Sequence, residues 1–142
     1  MKCSNYVGEM IDYAVELKLE GILFISHIGK VVKVAGGIMN THSRNADCRA
    51  EIMAAHSLRA GISKDAALEI LDSLTTDAAL DIMDREGVTE AAMKTIMARI
   101  AESLDRRCYG KLKIGVLAFS KERGELGRTD NFEEILQICL KE

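Results

Sequence analysis

The chain has 142 residues, 48% hydrophobic and 29% charged, with a formal net charge of −3. That is apolar material for the core of one ordinary domain, and we read residues 1–142 as a single domain. The mild negative charge argues against nucleic acid as a partner, because phosphate backbones select strongly basic surfaces; no apolar run reaches the ~18 residues of a membrane span, and the start lacks the apolar core of a secretion signal.

The first element, "SNYVGEMIDYAVELKLEG" (4–21), reads as a helix. Val7, Met10, Ile11, Ala14, Val15, Leu17 and Leu19 are read as one apolar stripe at helical spacing, Ser4 or Asn5 is placed to cap the start, and Gly21 to end it. "ILFI" (22–25) is short, uniformly apolar and branched, the pattern of a strand covered on both faces in a parallel sheet. "LKIGVLAF" (112–119) is a second such run. Between them the patterns are helical. "NADCRAEIMAAHSLRAG" (45–61) closes on Gly61. "SKDAALEILD" (63–72) and "TTDAALDIMD" (75–84) are near-copies twelve residues apart, each opening on a hydroxyl cap and an early aspartate. We read that pair as a scaffold hairpin of two short helices. "TEAAMKTIMARIAESLDRR" (89–107) is the clearest amphipathic helix, capped by Thr89 and presenting Ala92, Met93, Ile96, Met97, Ile100 and Leu104 on one face. The polar "SKERGELGRTDN" (120–131), with two glycines, reads as a loop, and "FEEILQICLKE" (132–142) as a last helix. There is no proline, where roughly seven would be usual. The order implies an α/β fold: a helix-rich domain with a small, mostly parallel sheet packed between helices. Two strands are too few for a stable sheet, and the start of the chain reads as if a strand had been cut just upstream. The domain is therefore expected to be a piece of a longer protein or to borrow strands.

Cys3, Cys48, Cys108 and Cys139 form no CxxC pair. They are expected to be reduced, small buried side chains in a cytoplasmic protein. Charge is unevenly placed. Residues 27–49 carry Lys30, Lys33, Arg44 and Arg49 against Asp47, a balance of 4 − 1 = +3, whereas 63–105 carry four basic and ten acidic residues, 4 − 10 = −6. A cationic patch inside an acidic protein points to an anionic ligand.

The two lysines of that patch fall in "SHIGKVVKVAGGIMNTHS" (26–43). Ligands of open parallel sheets bind beyond the carboxyl ends of the strands, where Ser26 and His27 leave the first strand. Gly29 permits close approach of the backbone. A helix starting near Lys30 would offer its first amides to an anion, with Lys30 and Lys33 on one face. Gly36 and Gly37 are expected to end that helix or to let two backbones pack closely. Asn40, Thr41 and Ser43 supply short hydrogen-bonding groups, and His42 adds an imidazole. The plainer readings are a strand-to-helix connection with two lysines reaching solvent, and a cap-and-turn at "NTHS". The spacing fits neither a P-loop nor GxGxxG. His27, His42 and His56 lack metal-ligand spacing, so no protein-bound metal is expected, and His56 reads as a packed helix residue.

"KCSNYVGEMIDYAVELKLEGILFISHIGKVVKVAGGIMNTHSRNADCRAEIMAAH" (2–56), its pattern "HIGK…K.AGGI.NTHS..AD.R", and the tail "GVLAFSKERGELGRT" (115–129) resemble the carboxy-terminal part of the CbiD family, the cobalt-precorrin-5B C1-methyltransferases. The resemblance covers essentially the whole chain; the amino-terminal domain of such proteins is what it lacks. It implies an anaerobic cobalamin-pathway enzyme that moves a methyl group from S-adenosylmethionine to C-1 of a cobalt-bearing tetrapyrrole. That substrate is anionic and brings its own cobalt. Under this reading Lys30, Lys33 and Arg44 meet substrate carboxylates, and Ser26, Gly29, Asn40, Thr41 and Ser43 complete the binding surface. His27 and His42 are the catalytic candidates, handling a proton or touching the macrocycle. A non-catalytic anion- or tetrapyrrole-binding module and a helical interaction domain stand as alternatives.

Overall fold

The structure, a computed structural model, describes residues 2–141. Seven helices and three strands alternate as expected of an α/β chain: α1 (Val7–Glu16), β1 (Gly21–His27), α2 (Ile28–Val31) running into a 3-10 turn (Val32–Gly36), α3 (Arg49–Arg59), α4 (Lys64–Leu71), α5 (Thr76–Arg85), α6 (Thr89–Cys108), β2 (Lys113–Ser120), β3 (Gly124–Arg128) and α7 (Phe132–Lys141).

The sheet has the order β1-β2-β3. β1 and β2 pair in parallel from Gly21↔Lys113 to His27↔Phe119, as two branched apolar runs with a long crossover should. The third strand corrects the sequence reading. Residues 124–128 are not loop but an antiparallel partner of β2, with a bulge at Ala118/Phe119. Their two glycines and two charges mask the strand pattern, and pairing with the strongly apolar β2 supplies what local propensity lacks.

β2 divides the core by alternation. Ile114, Val116 and Ala118 are buried on the side of α6, whose Met93, Ile96, Ile100 and Leu104 are likewise buried. Gly115 points the other way, toward α7. A Cβ there would stand 2.9 Å from Leu23 Cδ2 and 3.3 Å from the Phe132 Cα, so only glycine lets helix and strand approach this closely. The predicted stripe of α6 is buried at every one of its six positions.

Several ends differ from expectation. α1 stops at Glu16, so Leu17 and Leu19 lie past its end and are exposed rather than part of the buried stripe. Neither Ser4 nor Asn5 caps α1. Its cap position is Tyr6, without a side-chain bond, because the Asn5 carboxamide is spent on the Thr41 hydroxyl. Gly21 does not end that helix but opens β1, where its missing Cβ admits Ile135 and the Lys113 carbonyl at 3.3 Å. Ser63 and Thr75 do cap α4 and α5, accepting from the Ala66 and Ala78 amides. Thr89 is instead the first residue of α6, behind Val88. Gly37 ends the 3-10 turn in the left-handed region, as read. Of the cysteines only Cys108 is buried; Cys48 is exposed at the start of α3. β1 is not covered on both faces. It is an edge strand, and Ile25 is 59% exposed. Two ion-pair clasps tie distant segments. Arg107 grips Asp12 through two bonds of 2.9 and 2.7 Å, joining α6 to α1. Arg123, in the β2–β3 turn, reaches Asp77, Asp81 and Asp84 along α5.

Candidate functional site

At the carboxyl end of β1 lies a cavity of about 500 Å³ lined by Asn5, His27, Gly29, Lys30, Lys33, Thr41, His42, Ser43, Arg49 and the start of α5, Thr75 to Asp77. Seven of the ten residues singled out in the sequence meet here. Ser26 does not; it lines a separate groove beside β1 and donates to the His27 carbonyl. Asn40 and Arg44 are also outside the lining. The Asn40 side chain is turned back to accept from the His42 amide.

The two imidazoles are held alike. His27 caps the short α2 and its Nδ1 accepts the Gly29 amide at 3.0 Å. His42 Nδ1 accepts the Arg44 amide at 3.0 Å. With Nδ1 occupied as an acceptor, each neutral ring carries its proton on Nε2, which remains as a donor. Phe119 meets the His27 ring edge-on at 5.8 Å and fixes its plane. The Gly29 amide, one of those at the start of α2, is thereby given to the His27 ring and is not open to an anion. Gly29 makes that possible, since a Cβ would lie 3.1 Å from Nδ1.

The positive charge comes from side chains instead. Lys33 is 1% exposed, and its Nζ donates to the Thr41 carbonyl at 2.9 Å. Burial pulls its pKa below the usual lysine value, opposed by the charge of Asp47. Lys30 lies exposed at the mouth, and among the described residues neither lysine has a carboxylate within ion-pair distance. Arg49 is paired with Asp47 at 2.9 Å, and that bond holds the Asp47 carboxyl at about 2. Asp77, the one carboxylate in the lining, is answered by Arg123 at 3.4 Å. Among the described residues the Lys33 ammonium makes only the one hydrogen bond to Thr41, so two of its N–H groups can still meet acceptor oxygens.

Sequence reasoning counts Arg49 in the cationic patch without assigning it to the site, and it misses Asn5 and the start of α5. Repeat logic makes the two near-copies scaffold only, yet the second one brings its N-terminal end to the cavity, adding the positive end of a helix dipole. His56, by contrast, is packed as expected. It is buried on α3 with Nδ1 2.7 Å from the Thr95 hydroxyl, and burial, with Arg59 and Arg99, lowers its pKa. Among the described residues no group of three His, Cys, Asp or Glu is placed to hold a metal.

The family model described as "CbiD, C-terminal domain" matches residues 40–130. Proteins named cobalt-precorrin-5B C(1)-methyltransferase are similar along the chain. The one from Ruminiclostridium cellulolyticum is 47% identical over 89% of this chain and 33% of its own length. That from Alkaliphilus metalliredigens is 40% identical over 100% of the chain and 37% of its own length. That from Methanocaldococcus jannaschii is 43% identical over 78% and 30%. The chain thus spans about a third of the length of the curated relatives it matches. No solved structure matches.

Proposed function

The chain belongs to the CbiD family, and we propose that residues 1–142 are a single domain acting as the carboxy-terminal part of a cobalt-precorrin-5B C1-methyltransferase. The whole enzyme would convert cobalt-precorrin-5B to cobalt-precorrin-6A in anaerobic cobalamin biosynthesis, in the cytoplasm. No helix among the described residues is long and apolar enough to cross a membrane.

The observation that carries the reading is the buried Lys33 ammonium in the wall of the β1-end cavity. Desolvating a charge is costly unless something repays it. A corrin precursor is rimmed with acetate and propionate groups, and a carboxylate seated on Lys33 and Lys30 would do so. Ser43, Arg49 and the Nε2–H groups of His27 and His42 add donors for further oxygens, while Thr41, whose hydroxyl is already given to Asn5, holds Lys33 through its carbonyl. Ser26, Asn40 and Arg44, outside the lining, are left with no part in this contact. The imidazoles thus serve as oriented donors to the substrate rim. Cobalt arrives with the substrate, consistent with a wall that offers donors rather than ligands.

The methyl donor is S-adenosylmethionine, which supplies an electrophilic methyl on a sulfonium cation. A wall bearing Lys30, Lys33 and Arg49 fits an anion better than a sulfonium, so the donor is assigned to the amino-terminal portion that longer relatives carry. The role of this domain is to hold the macrocycle in register, since alignment of the reacting atoms supplies much of a methyl transfer.

The test is labelled-methyl transfer to cobalt-precorrin-5B by a full-length relative whose position matching Lys33 is changed to methionine. A KM for the tetrapyrrole raised tenfold or more, with kcat little changed, is the expected result. Unaltered KM would take the cavity out of substrate binding. This chain alone, incubated with the same reagents, is expected to retain tetrapyrrole without forming product.

A further inference from the structure

The two edges of the sheet are built differently. β3 is short, follows a bulge, and carries Glu125 and Arg128, paired to each other. Those are the usual devices that keep an edge from recruiting another strand. β1 has none of them. Its seven residues, GILFISH, include no lysine, no acidic residue and no bulge, and it has a sheet neighbour on one side only among the described residues.

This bare edge forms the floor of a groove of about 680 Å³. All of β1 lines it. Met10 of α1 and Cys139 of α7 stand along its sides, and Ile25 is its most exposed apolar side chain. A slot with an unpaired strand at the bottom and helices on both sides has the shape for one extended segment.

We propose that the β1 edge receives an added β-strand from the amino-terminal portion of the longer protein, completing the sheet; this rests on the reading of the chain as a carboxy-terminal part. Position supports that occupant. Lys2, Cys3 and Ser4 line the same groove, so chain entering from upstream arrives beside β1. The Alkaliphilus relative matches this chain throughout yet has roughly two thirds of its length outside the match, enough to supply the strand. A second copy fits less well, because its own β1 edge lies between its own α1 and α7, which would meet these.

Hydrogen exchange tests it, on this chain and on the full-length Alkaliphilus relative. The amides of residues 21–27 that β2 does not hold are expected to exchange at least tenfold more slowly at the matching positions of the longer protein. Equal exchange in the two overturns the proposal. So does protection in this chain that grows with concentration while its mass doubles, which gives the edge to a second copy. Ile25→Lys supplies an independent readout: this chain is expected to keep its Tm within about 2 °C, whereas the matching change in the longer protein lowers its Tm by several degrees. Small shifts in both count against the slot. A longer protein that transfers methyl while its edge exchanges freely sinks this inference and leaves the enzymatic reading standing. A protected edge without methyl transfer does the reverse.

Discussion

Lys33 on the 3-10 turn donates its ammonium proton to the carbonyl of Thr41, eight residues on, at 2.9 Å. That one bond closes the segment 33–41 into a loop and leaves a desolvated cation facing the cavity. Lys33→Met keeps most of the volume and removes the charge. Binding of a polycarboxylate tetrapyrrole such as uroporphyrin, followed by fluorescence, is expected to weaken about 10- to 100-fold, the range of one charge-assisted bond. The Tm should move by only a few degrees, because relief of a buried charge offsets the Thr41 carbonyl left without its donor. Undiminished binding at low salt would remove Lys33 from the site.

Arg123 holds three aspartates of α5 with a side chain 19% exposed. Arg123→Ala leaves Asp77, Asp81 and Asp84 as neighbouring like charges on the helix whose start lines the cavity. A Tm drop of about 3 °C or more at low ionic strength is expected, shrinking in 1 M salt as repulsion is screened. A salt-independent drop would mean that packing, not charge, is what Arg123 contributes.

Gly115→Ala tests the closeness of β2 and α7. The Cβ would meet Ile135 Cβ and the Phe132 Cα at 3.3 Å, and those atoms cannot swing aside. Overpacking of this kind costs about 1–3 kcal/mol, or about 3–10 °C in Tm. Thermal melts of the two proteins decide it, and an unchanged Tm would show that α7 floats on the sheet.

His56 gives stability a pH dependence. Burial, then Arg59 and Arg99, lower its folded pKa below the ordinary 6.5, so the folded state holds the neutral ring and the unfolded chain takes the proton first. This contribution is complete above pH 6.5 and is lost as pH falls from there toward the folded value. The slope from one group is at most about 1.4 kcal/mol per pH unit. His56→Gln, which still reaches Thr95, should flatten that part of a Tm-against-pH curve. Superimposable curves would count against it.

How far the sequence could be read follows from where each signal resides. The α6 stripe and the Ser63 and Thr75 caps are local, carried by spacing and by one hydroxyl each, and they reappear in the structure. β3 is not local: "GELGR" becomes a strand because β2 lies beside it. The Asn5 cap failed for the same reason, its carboxamide being claimed by Thr41, thirty-six residues away. In the cavity, the 27–43 residues are near neighbours along the chain and could be grouped by eye. Arg49 and the start of α5 join them only through packing, which no spacing rule reveals.

The parallel pairing of Gly21 with Lys113 also sets a clock. On a ribosome adding about 5–20 residues per second, the partner of β1 emerges roughly 5–18 s after β1 itself. Through that interval a naked, uncharged ribbon waits with no sheet to join. Its sequence therefore has to resist sticking to other nascent chains before it can fold, and refolding in the test tube should outpace synthesis, because no prolyl bond is present to slow it.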